Sequence, residues 1–131
     1  MATFNLSSSV QGALATSRRE SAEAASTRFG VPLAFDNPQD LVNRADVDVV
    51  AITVKVPHHF ELATAALRAG KAVYCEWPLG NGLQDGETLA ALAKQQGVLA
   101  VARLQARAAP AVFYVRDLVR QGTSVRCCPR R

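Results

Sequence analysis

The sequence predicts an α/β protein built on a doubly wound parallel sheet. Two features carry that expectation. Short apolar runs rich in β-branched residues, such as VDVVAITV at 47–54, alternate with stretches of roughly ten to fourteen residues in helical period. Glycines 30, 70, 97 and 122 stand where those helices would need left-handed C-caps. Strands and helices in alternation make right-handed βαβ units, and such units make parallel sheets.

Along the chain, residues 11–17 (QGALATS) read as a strand, and the charged, alanine-rich stretch 19–29 as a helix ended by Gly30. VPLAF leads to Asn37 and Pro38, where the asparagine caps and the proline opens a short helix through Leu41 and Val42. The run 47–54 has the composition of a strand buried on both faces, which places it at the centre of the sheet. Pro57 stops it and opens a helix over 57–69, with Phe60, Ala63 and Leu67 on one face. The unit then repeats as a strand at 72–75, a helix at 83–96 and a strand at 98–104. A last helix at 109–120 ends before Gly122. A nucleotide-binding fold of this type opens with a strand, a glycine-rich turn and a helix. The ten residues before Gln11 cannot supply all three. The first βα unit is therefore expected to be missing, with residues 11–14 poorly protected on the side it would cover.

Composition narrows the class. With 49% hydrophobic and 20% charged residues among 131, the chain supports one domain with a core. No run approaches the roughly 18 to 20 apolar residues of a membrane span, and MATFNLSSSV lacks the basic and apolar regions of a secretory signal. The expectation is a cytoplasmic protein that engages no membrane. Net charge is +4, most of it from Arg126, Arg130 and Arg131, so the body carries no footprint for nucleic acid. Cys75, Cys127 and Cys128 are odd in number and lack metal-ligand spacing, so neither a disulfide framework nor a metal site is expected.

Ligands of doubly wound sheets sit at the carboxyl ends of strands, here 53–59, 76–80 and 103–105. Three groups of residues stand out, each with an ordinary alternative. Gly80, Gly82 and Gly86 between a strand and a helix suit a phosphate loop, but their distance from the strand favours a flexible turn. Lys55-Val56-Pro57-His58-His59 places histidines near a helix N-terminus, where they contact a ligand or simply lie on the surface. Ser17 and Arg18 end the first strand, where an acid would bind the adenosine ribose and an arginine would accommodate a 2′-phosphate. Their alternative is a capping box in which Ser17 caps the helix and Glu20 completes it.

Several motifs agree in order and spacing with one family. Residues 46–51, Pro57-x-His59, Ala66-Leu67-Arg68-Ala69-Gly70-Lys71-x-Val73, Glu76-x-Pro78-Leu79 and Leu104-Gln105 resemble the N-terminal domain of the Gfo/Idh/MocA oxidoreductases. Within it, VKVPHHFE and EWPLG are most similar to the subgroup of the fungal galactose-regulon repressor, a dinucleotide-binding regulator. The resemblance implies an incomplete Rossmann-type sheet. It implies a nicotinamide nucleotide as cofactor, with NADP preferred to NAD because of Arg18, and a sugar or polyol as substrate. With Ser17 and Arg18 from the strand-end chemistry and the rest at or beside the family's motifs, the expected cofactor contacts are Ser17, Arg18, Thr53, Val54, Pro57, His59, Glu76, Trp77, Pro78 and Gln105.

One departure bears on chemistry. The family's usual motif after this strand is Glu-Lys-Pro, and Trp77 stands at the lysine. A lysine is a movable cation that can polarise a carbonyl or assist proton transfer, whereas an indole offers one donor and a stacking face. Cofactor binding therefore transfers more securely than catalysis, and no catalytic residue is assigned. The implied function is the nucleotide-binding part of a sugar or polyol oxidoreductase. The alternatives are a nucleotide-sensing regulator with a protein partner, or a remnant without function. Residues 11–122 read as a partial domain between an irregular N-terminus, 1–10, and an irregular tail, 123–131. The expectation is a fragment of a longer protein that alone binds nucleotide feebly and turns nothing over.

Overall fold

The structure, a computed structural model, describes residues 12–123. Its strands are β1 (Ala13–Ala15), β2 (Leu33–Phe35), β3 (Val49–Ile52), β4 (Ala72–Glu76) and β5 (Ala100–Arg103). Its helices are α1 (Arg19–Phe29), α2 (Pro38–Val42), α3 (His59–Arg68), α4 (Leu83–Gln96) and α5 (Pro110–Arg120), with 3-10 turns at Val56–His58 and Gln105–Ala108. The expected irregular segment 1–10 and the tail from 124 onward lie outside the described residues.

All strand pairing is parallel, as the alternation of elements predicts, and it forms two sheets, β1-β2 and β3-β4-β5. Local chemistry sets the helix ends. Gly30 adopts φ 65° and its N–H donates to the Ser26 carbonyl, while Gly97 closes α4 at φ 66°. In that left-handed region a side chain would clash with the backbone, which is why glycine stands there. Asn37 caps α2 by accepting the Gln39 N–H at 3.0 Å, and Pro38 follows at the position where no N–H is needed.

Helices α3 and α4 cover one face of the three-stranded sheet. Ile52, Val73 and Cys75 meet Ala63, Ala66, Leu67, Leu89 and Ala93 in one buried cluster that also takes in Val42 of α2. Alanines at the contact positions let helix and sheet approach closely. Lys71, just before β4, donates from Nζ to the Arg44 carbonyl at 2.7 Å. Arg44 in turn forks onto both oxygens of Asp46, which holds that carboxyl below its ordinary range.

The expectation of a central, doubly buried strand at 47–54 is corrected. The strand is only Val49–Ile52, and it borders its sheet, whose centre is β4. Ile52 is buried and Val50 partly so, but Val49 is 61% exposed and Ala51 is exposed too. Side chains alternate along a strand, so only one of the two apolar sets meets α3. The strand β2 is an addition, since VPLAF was not read as one. Pairing with β1 is what makes it a strand, and this also bonds one side of the segment expected to lack protection.

Cys75 gives a test of this packing. It is 1% exposed, and burial pushes its thiol up from 9.0 to about 11. In the unfolded chain the thiol ionises first, so its contribution is intact below pH 9 and is lost as pH rises towards 11. Wild type is expected to lose roughly 2 kcal/mol more than Cys75→Ala across that window in urea unfolding. Equal losses would mean that the thiol is not buried.

Candidate functional site

Because β3, β4 and β5 are parallel, their carboxyl ends share one edge, and the loops that leave them form the candidate site. From β3 the chain passes Thr53 and the exposed Val54, then Pro57 in the 3-10 turn, and enters α3 at His59. From β4 it passes Glu76 into Trp77 and Pro78, joined by a cis peptide. The imidazole of His59 connects the two loops. Its Nδ1 lies 2.7 Å from the Pro78 carbonyl oxygen and its Nε2 2.9 Å from that of Val54. Each carbonyl can only accept, so the tautomer of the ring decides which nitrogen donates to its neighbour. At 1% exposure the ring is enclosed, with its polar atoms committed to the backbone. His59 thus positions Val54 and Pro78 and does not face the crevice.

Between the ends of β4 and β5 lies a pocket of about 370 Å³, lined by Glu76, Trp77, Arg103, Leu104, Ala106 and Arg107. The register pairs Glu76 with Arg103, and the Trp77 N–H extends that pairing by donating to the Arg103 carbonyl at 3.2 Å. Arg103 Nη1 donates to Glu76 Oε1 at 3.1 Å. These side chains are 35% and 38% exposed, so the pair is worth below about 1 kcal/mol and leaves Glu76 able to change partner. Trp77 is 61% exposed. Gln105 opens the turn after β5, and its side chain lies outside the described residues. Arg103 fell within the strand end 103–105 expected to face a ligand but was given no contact role, and Arg107 was not a candidate. The signal available for them is an arginine at a strand's carboxyl end followed by another four residues on.

Ser17 and Arg18 lie at the end of β1, in the other sheet, and both are exposed. The capping-box alternative fails here. Arg18 occupies the N-cap position of α1 and makes no side-chain cap bond, while the hydroxyls of Thr16 and Ser21 each lie 2.8 Å from the Arg18 carbonyl oxygen. The glycine loop resolves as a turn. Asp85 turns its carboxylate back onto it and accepts the Asn81 N–H at 2.8 Å, so an acid holds an amide that a phosphate would need. Gly80 is buried beneath that acid, and a Cβ added there would lie 2.5 Å from the Asp85 Cβ.

Residues 5–103 match the family model described as an oxidoreductase family with an NAD-binding Rossmann fold, Gfo/Idh/MocA. The chain belongs to this family. It is 39% identical over 113 residues to the dehydrogenase aclE of Aspergillus oryzae, covering 85% of this chain and 31% of that protein. It is 27% identical over 95 residues to the galactose/lactose metabolism regulatory protein GAL80 of Kluyveromyces lactis, covering 67% and 21%. Among solved structures, the 3-ketoreductase KijD10 of Actinomadura kijaniata, in complex with TDP-benzene and NADP, superposes at a TM-score of 0.76 with 32% identity, covering 84% and 34%. The chain therefore spans about a third of the length of the relatives that are enzymes, and Gfo/Idh/MocA membership bears on its nucleotide domain. Among the described residues no helix is long and apolar enough to cross a membrane.

Two substitutions test this geometry. His59→Ala removes a buried ring and its contacts to the Val54 and Pro78 carbonyls, and is expected to lower stability by about 1 to 3 kcal/mol in urea unfolding. A loss below about 1 kcal/mol would remove the tether. Gly80→Ala forces a methyl against Asp85 and is expected to lose about 1 to 3 kcal/mol, with part recovered in an Asp85→Gly background. Loss of the same size in both backgrounds would locate the clash elsewhere.

Proposed function

We propose that the chain is the nicotinamide-nucleotide-binding part of an oxidoreductase acting on a sugar or polyol, with NADP preferred to NAD. The observation that carries this reading is the edge where one buried imidazole holds Val54 and Pro78 beside Glu76 and Trp77. In this reading Glu76, Trp77 and Pro78 hold the nicotinamide ribose, with Thr53, Val54 and Pro57 on the opposite wall and Gln105 near the ring. His59 is a positioning residue. Ser17 and Arg18 take the adenosine ribose and its 2′-phosphate.

The residues fit the two ends of such a cofactor. The Glu76 carboxylate has one oxygen outside its bond to Arg103, and the exposed Arg18 lies beside the N-terminus of α1, an end that attracts anions. Bound nicotinamide supplies the hydride chemistry at its carbon 4, and the residues of this chain supply binding and orientation. The NADP named with the ketoreductase supports the cofactor preference, and the aclE dehydrogenase supports the reaction class. The cytoplasmic address belongs to the same proposal.

A second reading rests on Trp77. With an indole where the family's motif carries lysine, and with similarity to GAL80, the domain would sense nucleotide and pass the signal to a protein partner. Nucleotide binding without turnover across a sugar and polyol panel, in the longest product of the locus, would favour it.

Arg18→Ala is expected to weaken NADPH binding by about 1.5 to 3 kcal/mol in calorimetric titration and to leave NADH unchanged, since only the 2′-phosphate meets the guanidinium. Equal loss for both nucleotides would remove the assignment of Arg18.

A further inference from the structure

The pocket between β4 and β5 contains more than the cofactor reading uses. Two guanidinium groups, Arg103 and Arg107, line it against one carboxylate, Glu76. The single bond between Arg103 Nη1 and Glu76 Oε1 leaves the other donors of Arg103 uncommitted to that acid. Arg107 is exposed, and the ion pairs among the described residues do not include it. The pocket thus carries a net positive charge, and the exposed indole of Trp77 stands at its wall.

We propose that Arg103 and Arg107, with the indole of Trp77, form a subsite for a sugar or polyol that carries an oxyanion, either a carboxylate or a phosphate. Guanidinium groups offer paired N–H donors in a fixed plane, which match the two oxygens of such an anion better than a lone hydroxyl does. The indole face receives the C–H face of the sugar ring, which no hydroxyl covers. At about 370 Å³ the pocket lies at the small end of ligand sites and suits a monosaccharide acid rather than a second nucleotide. An entering anion competes with Glu76 for Arg103, and a pair this exposed is weak enough to yield. The proposal rests on the oxidoreductase reading for the identity of the sugar, while the anion preference stands on the pocket itself.

Trp77 is the only tryptophan in the chain, so its fluorescence reports the site directly. The chain is titrated with D-glucuronate, D-glucose 6-phosphate, D-glucose and inorganic phosphate, each at constant ionic strength. Saturable quenching by one of the acidic sugars is expected at a midpoint at least about tenfold below those of glucose and of inorganic phosphate. Arg107→Gln is expected to raise that midpoint by about tenfold or more with the circular dichroism spectrum unchanged. If that variant does not fold, Arg103→Gln and Arg107→Lys take its place, the second keeping the charge but losing the fork. A response to glucose or to inorganic phosphate equal to that of the acidic sugars would overturn the proposal. An unchanged midpoint in the folded arginine variants would do the same. A parallel NADPH titration separates the two readings. Run on the longest product of the locus, absence of NADPH binding with acidic-sugar quenching retained removes the nucleotide reading alone, and the reverse removes the subsite alone.

Discussion

One buried imidazole determines how the strand-end loops lie. The Val54 and Pro78 carbonyls belong to loops that share no strand pairing, and His59 reaches both from the first turn of α3. The ring itself is buried, so among the described residues its nitrogens have only these two carbonyls as neighbours within hydrogen-bond distance, and the loops are held near each other through that ring. The opening of α3 is fixed by the same bonds. Leu67, Ala63 and Ala66 can then seat on Ile52, Val73 and Cys75 only in the one rotation of the helix that keeps His59 inward. The site and the core therefore depend on the same residue.

The sheet order explains which parts of a nucleotide site the described residues hold. The usual doubly wound order is 3-2-1-4-5-6. Here β2 and β1 take the places of the third and second strands, and β3, β4 and β5 those of the fourth to sixth. The described residues include no strand corresponding to the first of that order, whose following turn supplies the amides for the pyrophosphate. In the proposed reading the described residues would supply the two ends of the nucleotide site. Arg18 lies at the end of β1, and Glu76 with Trp77 at the end of β4. The Asp85 carboxylate over Gly80 also makes that loop a poor substitute for the turn, because a carboxylate repels the phosphate it would replace.

How much of this was legible in the sequence depended on how local each cause was. The bounds of α1 and α4 follow from Gly30 and Gly97, whose positive φ is a property of single residues, and they agree with the sequence reading. The strand β2 has no such signature, since Leu33–Phe35 becomes a strand only by pairing with β1 across α1. Composition also failed for β3. The run VVAI is apolar on both faces whether or not anything packs on the second face. Among site residues, Glu76 and Trp77 were visible as chemistry beside a strand end. Arg103 was visible only as part of a strand end, because its pairing with Glu76, 27 residues earlier, arises from the register of the two strands. The cap offered as the alternative role for Ser17 falls one residue from the N-cap, Arg18, a shift that α1 itself decides.

The exchange of cations around Trp77 limits what the site can do. A lysine at that position is a movable ammonium on a flexible stem, whereas a guanidinium group such as those of Arg103 and Arg107 presents a fixed planar fork of donors. They can bind and orient an anion, and they can stabilise charge that develops near them, but they cannot act as general acid and base. Glu76 accepts a hydrogen bond from Arg103, which suits it to binding and orientation. Both readings of the domain follow from this one arrangement. As part of an enzyme, it would orient the ligand and rely for proton transfer on a group brought from elsewhere. As a sensor, it would need no proton transfer, and the same cations, carboxylate and indole would already suffice to recognise the ligand.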